Sequence, residues 1–346
     1  MKKNILSIKN IKTLLLVGLI IGLQSCKQRD DWPHFDNADL TPTPPPKEVE
    51  DLNKTWYTQT LESKSNTMFK RFIQDTVFQL HDGVEYTILR FVDGLDQFQK
   101  FHIIEADLNN PKIGVTSMSA YGMPMPNLQN LSNMAIDNDG KAGKIIAAIN
   151  GGTYTSGAAN YGLAASGFVY NGTIMKTIAQ SNANAILPYL GIKKNGEIII
   201  GNSPSVTSYP VEWINQSEFL HQVFGLNFVV YDSWNNTANT DMISRSVVGL
   251  NENENKIYFI AGDAHQVGIA RGMGLPNFAR IVRDLGITKA FLPNNSLFSQ
   301  LVTRNERTLS GLLNVTFPLA NKPMPYSGTG VATPGVLANG IAIVVK

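Results

Sequence analysis

Ile145-Ile146-Ala147-Ala148-Ile149 is an unbroken apolar run that stops abruptly at Asn150-Gly151-Gly152. Five consecutive apolar side chains leave no polar face, so the run reads as a strand buried on both sides. The glycines directly after it deliver a loop to a surface, where backbone can approach closely. Val84–Phe91, Phe101–Ala106 and Ile113–Ser119 are rich in β-branched and aromatic residues and read as further strands. Asn171-Gly172 and Asn195-Gly196 mark two hairpins, both with the composition of tight type I′ turns. Ser246–Leu250 and Lys256–Ala261, joined by the polar Asn251–Asn255, form a third strand pair, and Ile341–Val345 closes the fold as an edge or central strand. Helices are fewer. One leads in over Lys47–Leu61, and Leu128, Leu131, Met134 and Ala135 give a short amphipathic one. Leu275, Phe278, Ala279, Val282 and Leu285 mark the best-patterned helix, followed by a strand over Thr288–Leu292. The sum is an α+β fold: a single domain on a curved mixed β-sheet, with several hairpins and a few packed helices.

The N-terminus sets the compartment. Lys2, Lys3, Lys9 and Lys12 precede an uncharged run from Thr13 to Leu23, which reads as a secretion signal over residues 1–25. The run is short for a membrane span, which needs about 20 apolar residues. It ends at Leu23-Gln24-Ser25-Cys26, a sequence that looks like a bacterial lipobox, so Cys26 is the expected lipidation site. Cys26 is the only cysteine, which excludes an intramolecular disulfide. Lys27-Gln28-Arg29-Asp30-Asp31 resembles the acidic export signal of Bacteroidetes-type lipoproteins, which implies an outer-membrane, surface-exposed location. Residues 26–50 are polar and proline-rich, with Pro42, Pro44, Pro45 and Pro46 close together, and read as an extended tether. No second composition break follows, so residues 51–346 are read as one domain.

Loss of the four signal lysines leaves 25 basic against 27 acidic residues, a nearly neutral mature chain. With no basic patch interleaved with aromatics, nucleic acid is excluded as a partner. His34, His81, His102 and His221 have no metal-ligand spacing, so neither a metal nor another cofactor is expected. The Asn-rich loop between Asp232 and Asp241 has the oxygen donors of a calcium site, though it reads better as a polar exposed loop. No Gly-x-Ser-x-Gly elbow or P-loop occurs, which removes the serine hydrolase and nucleotidase readings.

Several short motifs then follow one another in a telling order: Ala148-Ile149-Asn150-Gly151-Gly152-Thr153-Tyr154, Gly167–Gly172, Ser244-Arg245-Ser246-Val247-Val248-Gly249, Gly272-Met273-Gly274-Leu275 and Asp284–Ala290. Their order resembles the phosphodiester glycosidase (mannose 6-phosphate uncovering enzyme) family from about Asp107 to Lys346. No single motif is specific. The resemblance implies a glycan or sugar-phosphate substrate and a site at the Asn150 loop. Departures from the family pattern all remove charge. The family's aspartate after the last helix-to-strand passage falls on Asn294, its aspartate-glycine-arginine stretch becomes Ala261-Gly262-Asp263, and a helix glutamate becomes Asn277. A late glutamate-arginine pair falls near Pro334 and Gly335.

Breaking an anomeric carbon–phosphate bond places positive charge on the sugar and negative charge on the leaving phosphate. A site needs donors for the phosphate and a carboxylate for the sugar or the attacking water. Asn150, Gly151 and Gly152 offer amide hydrogens, and Arg245 and Arg271 offer two-pronged phosphate contacts. Tyr154, Asn295 and Ser296 complete the candidate substrate-binding set. Asn294 cannot ionise but can orient a hydroxyl. Asp263 with His265 is the candidate relocated acid/base pair, against a bland reading of Asp263 as a cap or turn residue. Three functions stay open: a hydrolase, a glycan-binding module that has lost its acids, and a structural component of an envelope complex. The sequence leaves the oligomeric state open.

Overall fold

The computed structural model describes residues 54–65, 68–155, 162–165, 167–176, 188–202, 218–225, 241–294, 298–309, 312–323 and 335–346. The signal, Cys26 and the tether lie outside these residues, as do the Asp232 loop, Asn295 and Ser296.

Three sheets carry the fold. The largest has six strands in the order β1-β2-β3-β12-β11-β13, formed by Phe69–His81, Val84–Asp93, Phe98–Asp107, Lys256–Gly262, Arg245–Asn251 and Lys289–Phe291. A five-stranded sheet runs β7-β6-β10-β8-β9, from Thr173–Lys176, Phe168–Tyr170, Phe219–Phe224, Pro188–Lys193 and Ile198–Asn202. A four-stranded sheet runs β14-β5-β17-β4, from Leu301–Thr303, Lys144–Asn150, Asn339–Val345 and Ile113–Ser119. Asn305–Leu309 and Leu312–Thr316 form a separate hairpin, β15–β16.

The α+β class holds. The sheets are several rather than one, and every pairing among the described residues is antiparallel rather than mixed. Short hairpins account for the pairs β1–β2, β2–β3, β6–β7, β8–β9, β11–β12 and β15–β16, while the remaining antiparallel pairs join strands distant in sequence.

The sheets meet on one shared core. Ile104 and Phe259 of the first sheet, Leu190 and Val223 of the second and Ile149 and Ile341 of the third belong to a single buried cluster. Helices cover the outer faces. Leu275–Asp284 (α3) turns Leu275, Phe278, Ala279 and Val282 onto Phe101, Ile103 and Tyr258. The lead-in helix begins later than Lys47 among the described residues, at Trp56–Lys64 (α1), capped by the Thr55 hydroxyl. Leu131–Asn138 (α2) packs Leu131, Met134 and Ala135 on the outer face of the four-stranded sheet.

The two predicted hairpin turns differ. Asn171 and Gly172 both have positive φ, 49° and 72°, as a type I′ turn requires. At the second turn only Gly196 does, at 89°, with Gly196 N–H bonded to the Lys193 carbonyl and Lys193 N–H to the Glu197 carbonyl. That is a three-residue loop ending in a bulge, not the two-residue turn expected from Asn-Gly alone. Ile341–Val345 belongs to a central strand, between β4 and β5. No described helix is long and apolar enough to cross a membrane.

Candidate functional site

The apolar run that ends at Asn150 is a central strand with neighbours on both sides, so Asn150 arrives wholly buried at the end of the sheet. Its polar groups are met there. Asn150 N–H donates to the Gln300 carbonyl, and its Oδ1 accepts from Gln300 N–H, both at 3.0 Å. Its Nδ2 points to the Asn294 carbonyl at 3.5 Å, which also accepts from the hydroxyls of Ser246 at 2.9 Å and Ser299 at 3.4 Å. Asn321 Nδ2 donates to the Ser299 carbonyl at 2.7 Å, and the next residue, Lys322, donates its N–H to Asp263 Oδ1, also at 2.7 Å. Bonded polar groups thus lead from Asn150 through Asn294 and Ser299 to Asn321, and the main chain of the neighbouring, exposed Lys322 carries this floor on to Asp263. Buried polar groups persist only when bonded in this way.

The floor reassigns several residues. Gly151 and Gly152 do not hold their amide hydrogens ready for a ligand, because Gly151 N–H donates to the Asn339 carbonyl at 3.0 Å and Gly152 N–H to Asn339 Oδ1 at 2.9 Å. They are glycines for space. A Cβ on Gly152 would come within 2.0 Å of the Phe224 carbonyl oxygen.

The Asp263–His265 pair does not form. Asp263 is buried and turns inward, its Oδ2 3.2 Å from His102 Nε2 and 3.7 Å from Lys100 Nζ. His265 is exposed at positive φ in the loop beyond. The partner of Asp263 is thus His102, whose Nδ1 lies 2.6 Å from the Tyr86 hydroxyl. Burial, followed by the charge of Asp263, pushes the Tyr86 hydroxyl well above its ordinary range.

Arg245 is buried and clamps backbone. Its Nε donates to the Met273 carbonyl and its Nη2 to the Asp241 carbonyl, each at 2.9 Å. Burial lowers it to about 10, an effect opposed by nearby Asp241. Arg271 is exposed on the rim loop, with no side-chain hydrogen bond or ion pair among the described residues. Tyr154 is half-buried, with its ring edge-on to Phe298 at 6.0 Å. Asn294 contributes its main-chain carbonyl to the floor, and Asn277 is exposed on α3.

Asn339 and His102 were missed from sequence. Asn339 had a legible signal, since it precedes one apolar strand as Asn150 follows another. His102 had none, being 161 positions from Asp263.

A second concavity lies at the other end of the four-stranded sheet. The pairs Asn339–Ser119 and Val345–Ile113 mark the two ends, separated by about 20 Å at 3.3 Å per residue. This cavity, of about 550 Å³, opens between β4 and the five-stranded sheet. A smaller one of about 180 Å³ shares Thr116, Ala142 and His221 with it. Among the described residues no cluster of His, Cys, Asp and Glu suited to a metal occurs.

Residues 143–292 match the phosphodiester glycosidase family model. The match begins one residue before β5 and ends two before Asn294, so it contains Asn150, Ser246 and Asp263. Over that stretch the resemblance read from the ordered motifs is borne out. No curated protein matches the chain. Among solved structures, the zebrafish N-acetylglucosamine-1-phosphodiester alpha-N-acetylglucosaminidase catalytic domain, auto-inhibited by its pro-peptide, is similar with a TM-score of 0.54 at 16% identity, over 79% of this chain and 88% of that one. A hypothetical protein from Synechocystis gives 0.51 at 13% identity, over 79% of this chain and 64% of that one. A putative exported protein from Burkholderia pseudomallei gives 0.50 at 10% identity, over 72% and 74%. At these identities the likeness concerns the fold.

Proposed function

We propose that the chain hydrolyses a sugar-1-phosphodiester at the outer face of the cell envelope, using the floor between Asn150 and Asp263. One observation carries the reading: Asn150 and Ser246, which come from two separate family-like motifs, both reach the main-chain carbonyl of Asn294, the position on which the family's aspartate falls. An anomeric phosphodiester departs as a phosphate anion, so the reaction needs charge stabilisation more than a proton donor. Arg271 is the available rim cation for that phosphate. Asp263, buried and held by the Lys322 amide and His102, acts on the developing positive charge of the sugar through its field from beneath the floor rather than by contact or as a mobile base.

The test is turnover of an N-acetylglucosamine-1-phosphodiester and related esters by residues 51–346. Arg271→Ala is expected to raise KM about tenfold, equivalent to about 1.4 kcal/mol of binding. Asp263→Asn is expected to lower kcat. A second reading rests on the exposed His265 and the carboxamide of Asn294: a glycan-binding module without chemistry. It is favoured if no ester is cleaved while sugar phosphates still raise the melting temperature.

Acylation at Cys26 and a proline-rich tether are proposed to hold the domain at the outer membrane surface. The sequence Leu23–Cys26 supports this. Cys26→Ser should move the protein from the membrane fraction to the soluble fraction, and retention on the membrane would remove the proposal.

A further inference from the structure

The inter-sheet cavity lies at the opposite end of the four-stranded sheet from the Asn150 floor and shares no lining residue with it. Its volume of about 550 Å³ falls within the range of small-molecule sites, about 300–1,000 Å³. The lining is mixed: Ile113 and Val115 from β4 and Ile192 and Leu220 from the five-stranded sheet supply apolar wall, beside polar Thr116 and Asn255. His221 lies at the base, its Nδ1 2.8 Å from the Ser117 hydroxyl and 3.3 Å from the Asn171 N–H, and its Nε2 3.2 Å from the Thr116 hydroxyl. An N–H can only donate, so Nδ1 accepts and the neutral ring carries its hydrogen on Nε2. Burial lowers His221 to about 4, which keeps the base uncharged near neutral pH.

Charge is confined to the mouth. The two lining carboxylates are each matched by a lysine, Glu197 with Lys193 at 3.0 Å and Glu252 with Lys289 at 2.6 Å. Lys194 and Lys346 also line the mouth and have no carboxylate partner among the described residues. Lys346 lies across β4, since a Cβ on Gly114 would come within 2.5 Å of its Cε. Apolar wall beneath the ammonium groups of Lys194 and Lys346, with uncharged His221 at the base, is complementary to a molecule with one anionic end and an apolar body.

We propose that this cavity binds a small anionic amphiphile, a medium-chain carboxylate being the simplest example. Its carboxylate sits at Lys194 and Lys346, and its chain lies between β4 and β8–β10.

The test is a fluorescence titration of the folded protein with 1-anilinonaphthalene-8-sulfonate, itself an apolar anion, followed by displacement. One-to-one saturable binding is expected, displaced by decanoate and not by decanol. Lys194→Gln combined with Lys346→Gln should weaken decanoate at least tenfold at unchanged melting temperature, and Val115→Trp should block the probe by filling the cavity. Absence of saturable binding, or decanoate affinity unchanged in the lysine variant, would overturn the proposal. The lysine variant still decides if Val115→Trp fails to fold. Cleavage of sugar esters has no bearing on either result.

Discussion

The two ends of the four-stranded sheet are built on opposite plans. At the Asn150 end, buried side-chain amides and hydroxyls bond to main-chain carbonyls and amides. At the Ile113 end, apolar walls stand apart around a cavity, and the main buried titratable group, His221, is kept neutral. The family-like residues gather at the crowded end, while the larger opening is at the other. Cavity size alone would therefore have pointed away from the residues that the family match contains. A site that stabilises charge must be preorganised, whereas a site that accommodates an apolar body needs room, so the two ends suit different chemistry.

The largest expected difference between the ends is steric. Gly152→Ala sets a Cβ against the Phe224 backbone carbonyl, which cannot yield without moving β10. It should cost about 3 kcal/mol, read as a shift in the urea midpoint at unchanged m. A cost below about 1 kcal/mol would show that the crowded end is looser than described.

Acid should act next, and at the far end. The folded His221 titrates near 4, below an unfolded value of about 6.5, so the unfolded chain takes up the proton first. The stabilisation is complete above about pH 6.5 and is lost as pH falls toward 4. At pH 5 its loss amounts to about 2 kcal/mol. Subtracting the pH profile of His221→Leu from that of the unaltered protein isolates this contribution, and parallel profiles would sink the assignment.

The smallest effect is expected from Gly114→Ala. The new methyl meets only the flexible end of Lys346, so the change should stay within about 0.5 kcal/mol of neutral. Equal costs for the two glycine substitutions would erase the contrast between the ends.

Much of the fold was legible because its signals are local. The apolar run before Asn150, the Asn171-Gly172 turn and the stripe of Leu275, Phe278 and Val282 each specify their element within a few residues. β1 was not legible: Phe69–His81 is partly exposed along most of its length and lies at the edge of its sheet, so burial imposes no clean alternation on it. The site was half legible. Asn150 and Asn294 announce themselves by position after apolar strands, whereas Ser246, read only as part of a strand, gave no sign of its bond to the Asn294 carbonyl. The His102–Asp263 contact is set by the pairing of β3 with β12, which aligns His102 with Ala261, and no local pattern encodes that register. Asp263 followed by His265 was misleading because positive φ at His265 turns the chain away from Asp263.

β17 occupies the middle of its sheet, and Asn339 at its start ties down Gly152, 187 positions earlier in the chain. A ribosome making this protein must therefore deliver nearly the whole domain before that sheet can close. Until then β4 and β5 each lack a neighbour, and their unpaired edges are open to other chains. Closing so long a loop adds an entropic barrier that grows with the logarithm of its length, and such distant pairings slow folding. The Asn150 floor is accordingly among the last features to appear as the chain folds, since it needs Asn339 in place.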